Sequence, residues 1–256
     1  MPSFRDRSSP SKFSDMQSND LLCCLGADAF DRLKERLRRV TLCTQEVLYQ
    51  ANDHISDIYF PETAVLCMLT IMEDGRTVES ATVGREGASW LSASYGTPTM
   101  PCQTMVAVGG SANKIAARYV EEEIRQNGIF HNFLTEYSHA LLISSLRTGA
   151  CNTLHSLSQR SARWMLMTLD RTATQEFQIT HDFLAALLGC SRTSLTTVLG
   201  ELEQAGGIQT KRGRIKLANR AAFEKSACEC YRVIRHNLRT LRSRERRSVL
   251  EADDDQ

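Results

Sequence analysis

The stretch Ile179 to Gln204, ITHDFLAALLGCSRTSLTTVLGELEQ, constrains this chain more than any other. It reads as two short helices around a tight turn. Thr180 is placed to cap the first helix, where its hydroxyl accepts an otherwise unpaired backbone N–H. Ala185 is small where the helices must approach, and Gly189 falls just past the first helix, where a left-handed residue reverses the chain. Ser191 caps the second helix, and Leu195, Val198, Leu199 and Leu202 recur at helical spacing to hold it against the first. That arrangement turns Arg192, Thr193, Thr196 and Thr197 outward near the N-terminal end, which is the end that enters the major groove in helix-turn-helix proteins.

Arg192 is the candidate base reader, because a guanidinium bonds bidentately to guanine O6 and N7, worth about 1–3 kcal/mol of discrimination. Thr180, Ser191, Thr193, Ser194 and Thr197 are candidate donors to phosphates or base edges, although hydroxyl residues on an exposed helix face commonly contact nothing. Just downstream, Gly206 to Leu217 reads as a β-hairpin whose tip carries Lys211, Arg212 and Arg214. A basic wing of this kind lies along the DNA backbone, and each phosphate it neutralises releases counterions. The formal net charge of +1 hides a steep gradient, since residues 206–247 hold 13 Lys or Arg against 3 Glu. A basic segment by itself is a solvated face; following a helix-turn-helix, it points to a polyanion.

The remainder supports a two-domain protein, as expected for 256 residues. Residues 1–19 are Ser-rich and charged, and read as a flexible leader rather than a secretory signal. Leu22, Leu25, Phe30, Leu33 and Leu37 recur at helical spacing through Val40. From Thr41 the period shortens to that of antiparallel strands: Glu46 to Tyr49, Ile58 to Phe60, Val65 to Ile71, Val78 to Val83, Thr104 to Val108 and Ala112 to Ile115. Glu73-Asp74-Gly75-Arg76 is the clearest hairpin, with Asp-Gly supplying positive-φ residues. After Ala116 about fifty residues read as helix, broken mainly at Gly128. Phe130, Leu134, Tyr137, Leu141, Leu142 and Leu146 cover more than one face, so the long helix is expected to pack on its own domain and on a second copy.

The expected fold class is therefore α+β: a β-roll over residues 20–127, a dimerisation helix over 128–155, a winged helix-turn-helix over 156–230, and a basic, then acidic, tail over 231–256. Whether the Arg-rich part of that tail extends the DNA contact or is a solvated helix is open at this stage. Gly200, inside the second helix of the motif, implies close packing there or a frayed end. No apolar run reaches the roughly 18 residues of a membrane span. A cytoplasmic location, double-stranded DNA and a second copy of the chain as partners, and RNA polymerase as a candidate further partner follow.

Nine cysteines, at 23, 24, 43, 67, 102, 151, 190, 228 and 230, form no C-x-x-C pair and read mostly as small hydrophobes. Cys228-Glu-Cys230 is a candidate metal pair, but two thiols without nearby further ligands favour packing against the wing. No metal and no cofactor are expected. A redox sensor built on Cys23, Cys24, Cys43 or Cys102 is the alternative regulatory reading. An enzyme is not expected, because no nucleophile, base and orienting group stand at readable spacing.

Ile179-Thr180 and Leu188-Gly-Cys-Ser-Arg192, with the Lys211 to Arg214 wing, resemble the Crp/Fnr superfamily of transcription factors. Val47-Leu-Tyr, Ile58-Tyr-Phe-Pro, the Glu73-Asp-Gly hairpin, Gly84-Arg-Glu-Gly87 and Tyr95-Gly-Thr-Pro98 resemble its effector-domain β-roll. The resemblance spans about residues 20–230. It implies a homodimer on a long central helix, with two recognition helices about one DNA turn apart. Departures concern the effector. Trp90 and Thr99 stand where cyclic-nucleotide-binding members carry the ribose-binding Glu and the phosphate-binding Arg, leaving Arg85 or Arg76 as weak substitutes. Adjacent Cys23 and Cys24 lack the spacing of an iron–sulfur ligand set, and lone histidines such as His54 and His131 do not mark a haem. The family's frequent Arg-Glu start of the recognition helix is Arg192-Thr193 here, and a later Arg is Thr197, so a different operator is implied.

Overall fold

The computed structural model describes residues 19–23, 25, 27–89, 97–126 and 128–254. The leader up to residue 18, Cys24, Trp90 and Tyr95-Gly96 lie outside the described residues. Asn19, the last residue of the expected leader, is fully buried. Its Oδ1 accepts from the backbone N–H groups of Leu21 and Leu22 at 3.1 and 3.3 Å, starting helix α1 (Asp20–Cys23). Its amide donates to the carbonyls of Pro61 and Gly87, both at 2.8 Å, which staples the helix to the β-domain. Helix α2 (Ala27–Lys34) follows.

Seven strands come next: β1 (Arg38–Leu42), β2 (Val47–Tyr49), β3 (Asp57–Pro61), β4 (Val65–Ile71), β5 (Thr77–Val83), β6 (Gln103–Val108) and β7 (Gly110–Ala116). They form two antiparallel sheets in the orders β1-β7-β3 and β2-β6-β4-β5, a β-roll. Two local expectations change. The helical spacing through Val40 is overridden, because Val40 pairs with Ala112 in a β1–β7 ladder, where β-branched Val40 and Thr41 fit a pleated surface. In the β4–β5 hairpin only Gly75 has positive φ, at 81°. Met72 donates to the Arg76 carbonyl at 2.8 Å, so the loop holds three residues rather than a two-residue turn.

Helix α3 (Ala117–Gln126) leads to the long helix α4 (Gly128–Leu154). Phe130, Leu134, Tyr137, Ser144, Thr148 and Cys151, spaced at a heptad period around half-buried Leu141, face the interior. Leu142 and Leu146 lie on another face and are 56% and 66% exposed. Helix α5 (Leu157–Thr172) begins at a capping box in which Ser156 accepts from the Gln159 N–H and the Gln159 side chain accepts from the Ser156 N–H. Among the described residues no single helix is long and apolar enough to cross a membrane.

Helix α5 joins the two halves. One apolar core runs from Val65, Cys67 and Leu69 of the β-roll through Trp164, Leu166 and Leu169 to Leu195 and Ile215 of the C-terminal domain. Polar groups cross the same seam. Arg171 donates through Nε to Glu86 at 2.6 Å and to the carbonyl and hydroxyl of Thr82, with both charged side chains buried. Removing either partner would strand a buried charge, at a cost of about 3–5 kcal/mol. The turn that supplies Glu86 needs glycine at both ends for close approach. A Cβ on Gly84 would sit 2.6 Å from the Arg171 side chain, and one on Gly87 would overlap the Tyr137 hydroxyl of α4.

A second polar link is the Trp164 indole N–H, which donates to Glu79 of β5 at 2.7 Å. Burial pushes the Glu79 carboxyl up to about 7, against the opposing pull of Trp164, Arg163 and Arg171. Between its ordinary value of 4.5 and about 7 the folded chain holds a proton that the unfolded chain has lost. This contribution to stability is therefore complete below 4.5 and declines as pH rises to 7. Glu79→Gln keeps an acceptor for Trp164 but cannot ionise. It is expected to flatten the loss of stability between pH 5.5 and 8 in urea titrations; an unchanged pH dependence would show that Glu79 does not titrate there.

Candidate nucleic-acid interface

Helices α6 (His181–Leu187) and α7 (Arg192–Gln204) cross at 101°, the angle expected of a helix-turn-helix. Thr180 Oγ1 accepts from the Phe183 N–H at 3.2 Å, and Ser191 Oγ accepts from the Ser194 N–H at 3.1 Å, so both hydroxyls cap their helices. Gly189 has φ 61°, and the N–H groups of Gly189 and Cys190 close back onto the carbonyls of Ala186 and Ala185. Leu195, Val198, Leu199 and Leu202 are buried. One support has no local signal in the sequence: Arg160 on α5 donates to the Leu188 carbonyl at 3.0 Å and holds the turn from 28 residues away.

Burying that apolar stripe leaves Arg192, Thr193, Ser194, Thr196 and Thr197 exposed. Arg192 is 67% exposed and meets Asp182 at 3.3 Å across solvent, an ion pair of little energetic weight. Thr196 and Thr197 donate back to the carbonyls of Arg192 and Thr193 at 2.9 and 3.2 Å, and Thr196 Oγ1 also meets His181 Nδ1 at 3.1 Å, so toward a ligand the Thr197 hydroxyl is an acceptor. Gly200 corrects the sequence reading on both counts. It lies inside α7, four residues before its end, and a Cβ there would meet nothing within 4 Å. An open glycine on the helix carrying Arg192 costs about 1 kcal/mol relative to Ala.

Strands β9 (Ile208–Lys211) and β10 (Arg214–Leu217) form the wing, joined on the other side by β8 (Glu176–Gln178), which has no alternating pattern of its own in the sequence. The wing turns through Arg212 and Gly213, at φ 49° and 74°, the two-residue turn that suits twisted strands. Lys211 and Arg212 are exposed at its tip. Arg214 is held at 2.7 Å by Glu176 of β8, so its charge is partly engaged within the sheet. Helices α8 (Arg220–Ser226) and α9 (Glu229–Asp254) complete the chain.

Over its first half the basic tail is a helix with one packed face, while Arg232 and Arg239 on it are exposed. Tyr231, Ile234 and Leu241 are buried, and Arg235 pairs with Asp170 and Glu224. Cys228 and Cys230 also depart from expectation: they face Cys151 of α4 and His155, not the wing. Of the effector positions weighed above, Thr99 bridges to exposed His54, His131 is exposed, Arg76 pairs with Asp74 at 2.7 Å, and Arg85 lies 3.8 Å from Asp20. Cys23 and Cys43 are exposed, whereas burial pushes the Cys102 thiol up, away from the reactive thiolate.

A capped recognition helix, a basic wing and a β-roll joined through a long helix define a DNA-binding regulator. The family model described as the Crp-like helix-turn-helix domain matches residues 159–226. The fold of about three quarters of the chain is shared with FixK2 from Bradyrhizobium japonicum (14% identity, TM-score 0.61, 75% of this chain and 98% of that one) and with a CRP-family transcriptional regulator from Thermus thermophilus (18%, 0.56, 74% and 96%). It is shared also with CLP from Xanthomonas campestris, described as a c-di-GMP responsive global regulator (13%, 0.57, 74% and 97%). No curated protein matches the sequence. Residues 159–226 are a Crp-like helix-turn-helix domain, and about three quarters of the chain shares the fold of these regulators.

Asp182 places a carboxylate beside Arg192. Asp182→Asn is expected to tighten binding to any duplex several-fold at low salt, measured by fluorescence anisotropy. Unchanged or weaker binding would place this face away from DNA.

Proposed function

We propose that the chain is a homodimeric, sequence-specific regulator that reads base edges with Arg192 and grips the backbone with Lys211 and Arg212. One observation carries the reading: Arg192 is exposed in the first turn of a helix whose apolar face is fully covered, beside a wing with cations at its tip. Thr180, Ser191, Thr193, Ser194 and Thr197 surround it as acceptors or donors, and Arg214 at the wing's base is a weaker contributor. Two such helices, about 34 Å apart in a dimer, would address successive major grooves of a roughly palindromic site. The second copy is supported by α4, where His139, Leu142, Leu146 and Gly149 form an exposed seam at heptad spacing next to the buried one. With DNA as its target, the chain would act in the cytoplasm, and an activator of this shape would also touch RNA polymerase.

Selection of binding sites from random duplexes by the full chain tests this directly; a symmetric consensus is expected. Arg192→Ala should erase the sequence preference. Lys211→Ala with Arg212→Ala should instead weaken all duplexes alike and reduce the salt slope by about 0.9 for each phosphate no longer neutralised. An unchanged consensus with Arg192→Ala would defeat the base-reading assignment. Leu142→Glu with Leu146→Glu should convert the dimer to a monomer in sedimentation, and a dimer that persists would place the second copy elsewhere.

A further inference from the structure

Cys151 sits near the C-terminal end of α4, His155 follows four residues later beside the start of α5, and Cys228 and Cys230 straddle the first residue of α9. One ligand atom from each of these four residues lies within 4.8 Å of all the others. Cys151 Sγ stands 3.5 Å from Cys228 Sγ, and Cys230 Sγ stands 3.8 Å from His155 Nδ1. Tetrahedral zinc with bonds of about 2.3 Å to sulfur holds neighbouring ligand atoms about 3.8 Å apart. The four atoms are thus gathered near the spacing such an ion demands, whereas a disulfide would need its sulfurs at about 2.05 Å.

Three further observations separate this cluster from ordinary packing. The three thiols are buried, yet they form a group of their own rather than joining either large apolar core. His155 Nε2 lies 3.2 Å from the Glu229 carboxylate while Nδ1 faces the sulfurs, and a metal-binding histidine characteristically gives its second nitrogen to a carboxylate. The buried guanidinium of Arg163 donates to Thr148, three residues before Cys151, and brings a positive charge near the cluster. It would offset the single negative charge of a zinc ion held by three thiolates and an imidazole.

We propose that Cys151, His155, Cys228 and Cys230 bind a zinc ion that clips the end of the long helix to the start of α9. Three thiolates and an imidazole in a tetrahedral set select zinc over hard cations. Four protein ligands leave no open position, so the site is structural rather than catalytic. Binding displaces the thiol protons to solvent and changes no oxidation state. The ion would fix the junction at which the DNA-binding domain meets the long helix.

The full chain, produced with zinc in the medium and purified without chelator, is expected to carry about one zinc per chain by elemental analysis. Cys228→Ser with Cys230→Ser should reduce this to less than about a tenth. Cobalt substitution should give the charge-transfer and visible ligand-field bands of a tetrahedral thiolate site. Because the serine variant can fail to fold, His155→Cys provides a second arm: it should keep the metal and shift the cobalt bands to those of four thiolates. A zinc-free wild-type chain, zinc retained at full occupancy in the folded serine variant, or a Cys151–Cys228 disulfide in the purified chain would overturn the proposal. Metal content is read without DNA, so its outcome is independent of duplex binding.

Discussion

The buried contact between Arg171 and the Glu86 turn is the constraint from which the rest of the arrangement follows. A guanidinium can be taken out of water only if its donors are satisfied, and here Glu86 and both oxygens of Thr82 satisfy them. That requirement draws helix α5 onto the β-roll, and the absence of side chains at Gly84 and Gly87 leaves room for Arg171 on one side and Tyr137 on the other. Trp164 then reaches Glu79, and a single apolar core continues from sheet to recognition helix. The orientation of the DNA-binding domain is therefore tied to a handful of polar groups buried between the two halves.

The exposed face of α7 results from covering the opposite one. Four apolar side chains of α7 are buried, so the residues between them face water, and Ser191 satisfies the helix N-terminus without withdrawing Arg192. Opposite charges temper this surface. Asp182 lies beside Arg192 and Glu176 beside Arg214, so the cations nearest the fold are partly neutralised while those at the wing tip stay exposed.

The junction between α4 and α5 is supported from two directions. The capping box at Ser156 and Gln159 ends one helix and starts the next. Helix α9 returns along α4, with Arg220, Tyr231 and Arg235 gathered around Asp170 of α5. The thiol and imidazole cluster lies at the N-terminal end of α5, so an ion there would hold the end of the helix opposite to the one that Arg171 anchors to the β-roll.

The sequence by itself determined the elements whose causes are local. Caps at Thr180 and Ser191, the left-handed residue at Gly189, the helical period of Leu195 to Leu202 and the short apolar runs of β4 to β7 set off by turn residues all depend on neighbours a few residues away, and these are what made the fold and the candidate site legible. Tertiary structure alone decided the rest. Val40 became a strand residue because β7 offered it a ladder, β8 formed because β10 needed a partner, and the first half of the Arg-rich tail became a helix packed through Tyr231, Ile234 and Leu241. Cys151 and Cys228 are separated by 77 positions, and no local pattern reports that the chain brings their sulfurs to 3.5 Å. Short-range hydrogen bonds and periodicity leave a trace in the order of residues, whereas contacts made by closing long loops exist only once the core has formed.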